Sequence, residues 1–325
     1  MKTGLFFDLR NPPRWQRPWA DHYRSTLDLI GEAEETGADA VWLTEHHFTE
    51  DGYLPQPLTF AAAVAARTSR VRIGTGILLA ALRHPRHTAE EAAVVDLVSG
   101  GRLELGIGAG FSRREYDAFG ADLRRRYTLT DSAAAEIRRL LAEEVTPPPV
   151  QSPVPLWMGY QGPQGARRAG LLGTGLLSLD PRLLGPYTEA LAAGGHPPSA
   201  ARMGGLIDII VADDPEEAFR RILPHYTYQV NSYRRIGAAG PDVPRDLTVD
   251  EVSAGAVRRS GAPGLTVLTP QDAVRAVRER TTGLPVEHVY FWASVAAMPE
   301  DLVRRHIELL FGEVAPALRS GAGTG

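Results

Sequence analysis

Short apolar runs alternate with longer amphipathic segments along most of this 325-residue chain, and this order limits the folds it can adopt. The strand-like runs cover residues 4–9, 39–44, 71–79, 102–108, 154–159, 175–179, 204–211 and 289–292. The first helical segment, residues 21–36, has apolar residues on one face and is followed by a glycine, as helix ends often are. Eight strands, each followed by helical material, predict an α/β fold, the closed parallel (β/α)8 TIM barrel.

An open, doubly wound parallel sheet is the alternative architecture. Its strands are buried on both faces and therefore apolar at almost every position. Residues 71–73 and 103–105 instead alternate apolar and charged side chains, which favours the barrel. Residues 147–149 are three prolines, but a strand-like run follows almost at once, so we interpret them as a loop within one domain spanning residues 1–325.

Two segments show no regular pattern. Residues 237–266 have little periodicity and predict an insertion before the last strand, which is a candidate lid over an active site. Residues 320–325 are small and polar, and we expect a flexible tail.

The composition excludes several classes of function. The chain has no cysteine, which rules out disulfides, thiolate nucleophiles and cysteine-based zinc sites and suits a cytoplasmic setting. A net charge of −4 gives no general attraction to nucleic acid or to acidic membranes. No apolar stretch approaches the ~20 residues that a membrane helix needs. His84, His87, Glu90 and Glu91 are possible metal ligands, but the helix start at Pro85 favours capping and surface charge, so no metal is predicted.

Residues with chemical potential follow several predicted strands. Residues 45–48 (Glu-His-His-Phe), 74–76, 106–110 and 159–163 all lie where strands end, and barrel active sites lie at that rim. Histidine titrates near neutral pH, and glycines let a flat ligand approach the backbone. The turn after residue 159 leads into a helix whose free N–H groups suit a phosphate. Each motif also has a simpler interpretation: plain turns, a structural histidine pair, and a solvated charge run at residues 124–126.

Residues 39–120 closely resemble the luciferase-like flavin monooxygenases. The stretches that carry the resemblance are residues 42–50 (WLTEHHFTE), 74–76 (GTG), 84–85 (HP) and 99–110 (SGGRLELGIGAG). Residues 313–318 are similar to the closing helix of that family. The resemblance implies a (β/α)8 barrel of the bacterial-luciferase type, a flavin across the C-terminal mouth, and a homodimer packed through early helices.

The resemblance also implies roles for individual residues. The histidine matching His46 acts as a catalytic base, and a cis peptide at Gly76–Ile77 lies under the flavin ring. The chain departs from luciferase where the reactive cysteine is replaced by Gly108 and a phosphate-binding arginine by Ala109. The other phosphate arginine falls on Tyr127, so we expect phosphate contacts from the adjacent arginine and a backbone turn. The predicted cofactor-binding residues are Thr75, Gly76, Ile77, Gly108, Ala109, Gly110, Arg126, Gly159, Tyr160, Gln161 and Gly162.

Three functions are compatible with this pattern. The first is a two-component monooxygenase that takes reduced FMN from a separate flavin reductase and uses O2 on a small, mainly apolar organic substrate. The second is a hydride-transfer enzyme with a deazaflavin coenzyme, and the third is a non-catalytic flavin-binding partner subunit. The residue 45–48 motif favours FMN, because deazaflavin relatives more often show aspartate before a single histidine. The predicted substrate residues form a mainly aromatic set, which favours an apolar or polycyclic molecule: Phe7, Trp15, His47, Tyr53 and Phe111.

Overall fold

Eight parallel strands close into a barrel in the computed structural model, which describes residues 1–238, 243–255 and 264–320. The barrel strands are β1 (Lys2–Phe7), β2 (Ala40–Leu43), β3 (Arg72–Thr75), β4 (Leu103–Ile107), β5 (Leu156–Met158), β6 (Gly175–Leu177), β7 (Met203–Ile207) and β10 (Val286–Trp292), and β8 (Ile209–Val211) and β9 (Thr266–Leu268) lie outside the barrel. Their order around the barrel is β1-β10-β7-β6-β5-β4-β3-β2, and pairing of Gly4 with Tyr290 and with Ala40 closes the ring through β1. The predicted TIM barrel is confirmed.

Helices connect the strands on the outside of the barrel. They are α1 (Trp19–Thr36), α2 (Pro57–Arg67), α3 (Pro85–Ser99), α4 (Arg113–Ala118), α5 (Arg126–Glu143), α6 (Gly162–Leu171), α7 (Leu184–Ala193), α8 (Pro215–Ile236), α9 (Val249–Ser253), α10 (Pro270–Thr281), α11 (Glu300–Leu309) and α12 (Ala315–Ser320). The Asp-Pro pair at residues 214–215 and the Thr-Pro pair at 269–270 predict helix starts, and the structure confirms both: Asp214 and Thr269 accept backbone N–H bonds as the N-caps of α8 and α10. Within the described ranges, none of the helices combines the length and apolar character of a membrane span.

Two predicted elements are divided in the structure. The run at 204–211 breaks at Asp208, whose carboxylate accepts a hydrogen bond from Trp292 Nε1 at 2.9 Å. Only β7 belongs to the barrel, while β8 pairs with β9 in a separate two-stranded sheet. The sequence pattern over residues 116–144 predicts one helical region, but in the structure it is interrupted at Gly120, which has a φ of 71°, and forms α4 and α5.

The segment predicted as an insertion, residues 237–266, is partly structured. Its described part contains α9, which begins with a capping box at Thr248, and its last residue starts β9. The predicted insertion thus overlaps β9 by one residue. Residues 239–242 and 256–263 of that segment, and 321–325 of the predicted flexible tail, lie outside the described residues.

Large aromatic side chains fill the lower barrel interior. Trp42 stacks on Tyr290 with ring centroids 4.8 Å apart and meets Trp157 edge-on at 6.2 Å. Gly74 makes this packing possible, because a β-carbon there would lie 2.4 Å from the Trp42 ring. The Nε1 group of Trp157 donates to Glu104 at 2.7 Å, so the indole nitrogen is satisfied in the interior. This aromatic layer fills the interior below the mouth of the barrel.

A buried histidine in the helical layer predicts sensitivity to acid. His306 on α11 has no exposed surface, and its Nδ1 accepts the backbone N–H of Val211 at 2.9 Å. Burial lowers the pKa of His306 from its ordinary 6.5 to about 4. The folded state therefore holds the imidazole neutral, and its stability falls as the pH drops from 6.5 towards 4, where the unfolded chain binds the extra proton.

We expect this single group to cost about 2 kcal/mol of unfolding free energy between pH 7 and pH 5. Asp8 acts in the opposite direction, because burial raises its pKa from 3.8 to about 6 and its protonated form favours the folded state below that pH. The measurement is urea unfolding of the wild type and His306→Asn at both pH values. The variant keeps an acceptor for Val211 and shares the Asp8 contribution, so parallel losses in the two proteins would contradict the prediction.

Candidate active site

A cavity of about 350 Å³ opens at the C-terminal mouth of the barrel. It is formed by segments that follow β2, β3, β4 and β5, together with one side chain from β1 and one from the end of α8. The residues that line it are Phe6, Thr44, Glu45, His46, Tyr53, Gly76, Ile77, Leu79, Ala109, Gly110, Phe111, Arg126, Tyr127, Gly159, Tyr160, Gln161 and Tyr233. The strand-end motifs singled out in the sequence therefore do meet at one rim.

His46 is held in a fixed orientation on the wall of this cavity. It is 6% exposed, and its Nδ1 lies 2.9 Å from Oε1 of the buried Glu115. The same carboxylate oxygen accepts the backbone N–H of His47 at 2.8 Å. With Glu115 ionised, Nδ1 carries the imidazole proton and Nε2 is left as the acceptor. Nε2 makes no hydrogen bond to the described residues, so it is free to exchange a proton with a bound molecule.

The second histidine of the pair faces away from this cavity. His47 Nε2 lies 2.9 Å from Glu45 Oε1, and Glu45 also accepts from the backbone of Leu79 and from Arg83, each at 2.8 Å. Glu45 therefore ties the end of β2 to the loop after β3. The two neighbouring histidines serve different surfaces, since only His46 reaches the cavity.

The floor of the cavity is a cis peptide between Gly76 and Ile77, at the bond where the family resemblance implied one. Glycines surround the Ile77 side chain: a β-carbon at Gly108 would lie 2.6 Å from it and one at Gly159 only 2.3 Å. Below the floor, Thr75 Oγ1 donates to the carbonyl of Gly106 at 2.7 Å. The small residues at these strand ends thus create the room in which the isoleucine and a flat ligand can lie.

The opposite end of the cavity has the features of an anion site. The turn after β5 leads into α6 through Gly162, which has a φ of 70° and around which a β-carbon would meet no atom within 4 Å. The N-terminal N–H groups of a helix favour a phosphate in such open space. Arg126 lines the same end, with its guanidinium 4.5 Å above the Tyr127 ring. These donors and this space fit the phosphate of a flavin nucleotide.

The predicted site residues divide between the cavity and other places. Most of the predicted cofactor residues line the cavity, with Thr75 and Gly108 beneath its floor and Gly162 at its edge. Of the predicted substrate residues, Tyr53 and Phe111 line it, but His47 lies in an outer groove of about 610 Å³. The other two predicted substrate residues lie elsewhere, because Phe7 ends β1 and Trp15 lies in the connection between β1 and α1. A separate cavity of about 270 Å³ is lined by Phe7 and Trp15.

The placement of these last two residues corrects the predicted substrate wall. Alternation along β1 sends Phe6 into the barrel, where it meets Tyr290 at 5.2 Å, and Phe7 to the opposite face. Trp15 stacks on the His225 ring at 3.8 Å. The structure therefore does not bring Phe7 and Trp15 together with His46.

The sequence analysis did not single out Glu115 or Tyr233, although both contribute to the cavity region. Glu115 is 69 residues from His46 in the chain, and Tyr233, whose Oη lies 3.0 Å from Tyr53 Oη, is 180 residues from Tyr53. Glu115 follows two arginines in a short surface-like segment, and Tyr233 lies in a long amphipathic helix. Neither position carries a local signal, because only the closed barrel brings these segments to the rim.

Comparisons with known proteins agree with this geometry. A family model described as luciferase-like monooxygenase matches residues 1–284. The 4-hydroxyprotoasukamycin monooxygenase of Streptomyces nodosus subsp. asukaensis is 31% identical over 89% of this chain and 85% of that protein. The F420-dependent glucose-6-phosphate dehydrogenase of Amycolatopsis mediterranei is 30% identical over 52% of this chain and 57% of its own length. The match to the alkanal monooxygenase alpha chain of Photorhabdus laumondii is shorter. It is 33% identical over 40% of this chain and covers 36% of that subunit.

Solved structures with the same fold cover nearly the whole chain. Monooxygenase RslO1 from Streptomyces bottropensis superposes with a TM-score of 0.79 at 26% identity, covering 97% of this chain and 99% of that chain. An F420-dependent secondary alcohol dehydrogenase superposes with a TM-score of 0.73 at 19% identity, covering 98% and 99%, and this likeness shows the fold alone.

Proposed function

We propose that this chain, which belongs to the luciferase-like monooxygenase family, is the oxygenating component of a two-component system that acts on a small organic molecule. In this proposal a separate flavin reductase supplies reduced FMN, and O2 is the second substrate. The observation that carries the proposal is the His46–Glu115 pair on one wall of the mouth cavity, with an anion site at the far end. A proton-transfer group and a phosphate cradle in one cavity are what a flavin oxygenase requires.

The residues of the cavity would hold the cofactor at both ends. Gly76 and Ile77 would support the ring, and the backbone of Gln161 and Gly162 with Arg126 would bind the phosphate. Reduced flavin, when bound, supplies the activation of O2 that the protein itself cannot perform. His46 Nε2 exchanges a proton with the bound substrate, and Glu115 keeps that nitrogen directed into the cavity.

Retention of the histidine base and the anion site argues against a non-catalytic partner subunit. Relatives with both monooxygenase and F420-dependent names match this chain, so a deazaflavin is the alternative cofactor. A deazaflavin would make the chain a hydride-transfer enzyme on the same barrel. We place the protein in the cytoplasm, which suits a chain without cysteine.

One experiment tests the function and separates these cofactors. The protein is titrated with FMN and with coenzyme F420 under reducing conditions, and binding is followed by fluorescence. It is then supplied with FMN, a flavin reductase, NADH and ¹⁸O2, together with a panel of aromatic and aliphatic compounds, and products are analysed by mass spectrometry. Binding of FMN and incorporation of ¹⁸O support the proposal, whereas selective binding of F420 or the absence of labelled product contradicts it.

Arg126 predicts a difference between FMN and riboflavin. Because its guanidinium lies at the anion end, Arg126→Ala is expected to weaken FMN binding about tenfold by removing a charge-assisted hydrogen bond. Binding of riboflavin, which lacks the phosphate, is expected to change little. Fluorescence titration of both ligands measures this, with the neighbouring Arg125→Ala as the matched control. Equal losses for both ligands would mean that Arg126 does not bind the phosphate.

An apolar face on α3 supports the proposed homodimer. Val94 and Val98 are each 49% exposed and Leu97 is 36% exposed, and their spacing puts all three on one side of the helix. We expect the double change Val94→Asp and Val98→Asp to convert a dimer into a monomer, because two charges cannot be buried in an apolar interface. Sedimentation velocity checks this, with Leu171→Asp as control, because Leu171 is 54% exposed and lies on α6. A wild-type monomer would remove the dimer from the proposal.

A further inference from the structure

A buried arginine stands behind the cavity wall opposite the phosphate end. The guanidinium of Arg10 has no exposed surface and lies 4.5 Å from the ring centroid of Tyr53 and 4.7 Å from that of Tyr233. It donates to Asp8 at 3.0 Å, to Ser232 at 2.6 Å and also to Asp51. This cation therefore fixes the backs of both tyrosine rings, so their front edges line the cavity in set positions.

The two tyrosines form a hydroxyl pair next to His46. Their Oη atoms are 3.0 Å apart, and their rings lie edge-on to the His46 imidazole with centroid distances of 4.8 Å and 6.1 Å. Burial raises the pKa of Tyr53 well above its ordinary value and also raises that of Tyr233, so both phenols stay neutral donors at working pH. The pair is thus a hydrogen-bonding device at the cavity wall.

The proton count of this pair leaves one donor over. Two neutral phenols carry two O–H protons, and the bond between the two oxygens uses one of them. Within the described part of the chain, no carboxylate or carbonyl accepts the other proton, and the protein oxygen beside Tyr53 is the hydroxyl of Thr44, which itself donates to the carbonyl of Phe7 at 3.3 Å. An oxygen atom on a bound molecule would accept this proton in place of Thr44. Around the pair, Phe111 adds an aromatic edge 5.3 Å from the His46 ring.

We propose that this cavity selects planar aromatic compounds that carry a hydroxyl or carbonyl oxygen, and that the Tyr53–Tyr233 pair recognises that oxygen. The inference names the substrate class of the proposed active site and rests on that proposal. Phenols and quinones satisfy it, since their rings pack against aromatic edges and their oxygen accepts the spare phenol proton. A substrate hydroxyl can then donate to His46 Nε2 on the same wall. An aromatic hydrocarbon of equal size leaves the pair unsatisfied, and buried unpaired donors oppose binding.

The test compares two probes of almost the same shape, 2-naphthol and 2-methylnaphthalene. Equilibrium dialysis measures their binding to the purified full chain, without flavin and with saturating oxidised FMN. We expect the wild type to prefer 2-naphthol about tenfold, as one hydrogen bond to a buried group allows. We expect this preference to disappear in the Tyr53→Phe, Tyr233→Phe double variant. Both rings remain under Arg10 there, so packing is retained, and circular dichroism with thermal unfolding verifies the fold.

Tyr228→Phe is the matched control. This tyrosine lies on the same helix, but its hydroxyl is directed to Glu50 at 3.4 Å rather than into the cavity, so the variant is expected to keep the preference. Equal affinity of the wild type for both probes, binding of neither probe, or a naphthol preference that survives in the double variant would each overturn the inference. The same measurements separate this inference from the flavin proposal. If FMN does not bind but the preference for 2-naphthol still depends on the two tyrosines, the cofactor is rejected and the recognition site is kept.

Discussion

Replacing His46 with alanine is expected to lower kcat for product formation by about 100-fold to 10,000-fold while leaving FMN binding unchanged. The reason is that Nε2 is the proton-exchanging atom on the cavity wall, whereas the proposed ring and phosphate contacts lie on other segments. The measurement is steady-state oxygenation of a compound identified in the ¹⁸O2 experiment, with the flavin dissociation constant determined in parallel. His87→Ala, an exposed histidine on α3, is the control.

Substitutions of Glu115 test the same prediction in a second way. Glu115→Ala removes the partner that orients His46, so we expect kcat to fall by less than in His46→Ala while the KM for the substrate stays nearly constant. Glu115→Gln keeps an acceptor for the imidazole N–H and is expected to restore part of the rate. A His46→Ala enzyme that retains wild-type kcat would exclude this residue from the chemistry and remove the main support for the proposed mechanism.

The largest effect on stability is expected at Arg102. Its guanidinium uses all five N–H groups: it donates to the carbonyls of Ser99, Val71, Ala65 and Thr68, and to the Thr68 hydroxyl, at 2.6–3.0 Å. Ala65 and Thr68 lie at the C-terminal end of α2, where helical carbonyls lack partners and a cation is favoured. Arg102→Met keeps much of the volume but leaves these buried acceptors without donors.

We therefore expect Arg102→Met to lower the unfolding free energy by about 3 kcal/mol or more. Urea unfolding followed by circular dichroism measures it. Arg67→Met is the matched control, since Arg67 lies at the end of α2, the helix that Arg102 contacts, but pairs with Asp28 at the exposed surface. If both variants unfold at the same urea concentration, the network around Arg102 does not have the stabilising role inferred from its hydrogen bonds.

The barrel could be predicted from the sequence because strand and helix periods alternate and each change of period is local. All eight predicted barrel strands have a counterpart in the closed sheet, with ends shifted by a few residues. The breaks inside predicted elements could not be predicted from the sequence. Residues 204–211 read as one strand in the sequence, and the contact between Asp208 and the distant indole of Trp292 has no signal in that run. A π-helical turn at Leu310–Val314 joins α11 to α12, and no residue in that segment predicts it.

The active site was predictable to the extent that its residues lie next to strands. His46, Gly76 and the turn before α6 follow strand ends, and the topology of a parallel barrel brings these ends together. Glu115, Tyr233 and Arg10 contribute through contacts across many residues of chain. Their roles depend on side-chain directions at the rim, and periodicity contains no information about those. The prediction that Phe7 contacts the substrate was wrong for a similar reason, since a shift of one position along a strand moves a side chain to the other face.

Glu115 lies on the six-residue helix α4, in a connection between barrel strands and not in a strand itself. One oxygen of this side chain contacts both the imidazole of His46 and the amide of His47. Proton chemistry and scaffold stability are consequently assigned to separate parts of the polypeptide. Exchange of this short connection alone, by recombination or by design, would retune the reaction while the closed sheet beneath it is inherited unchanged.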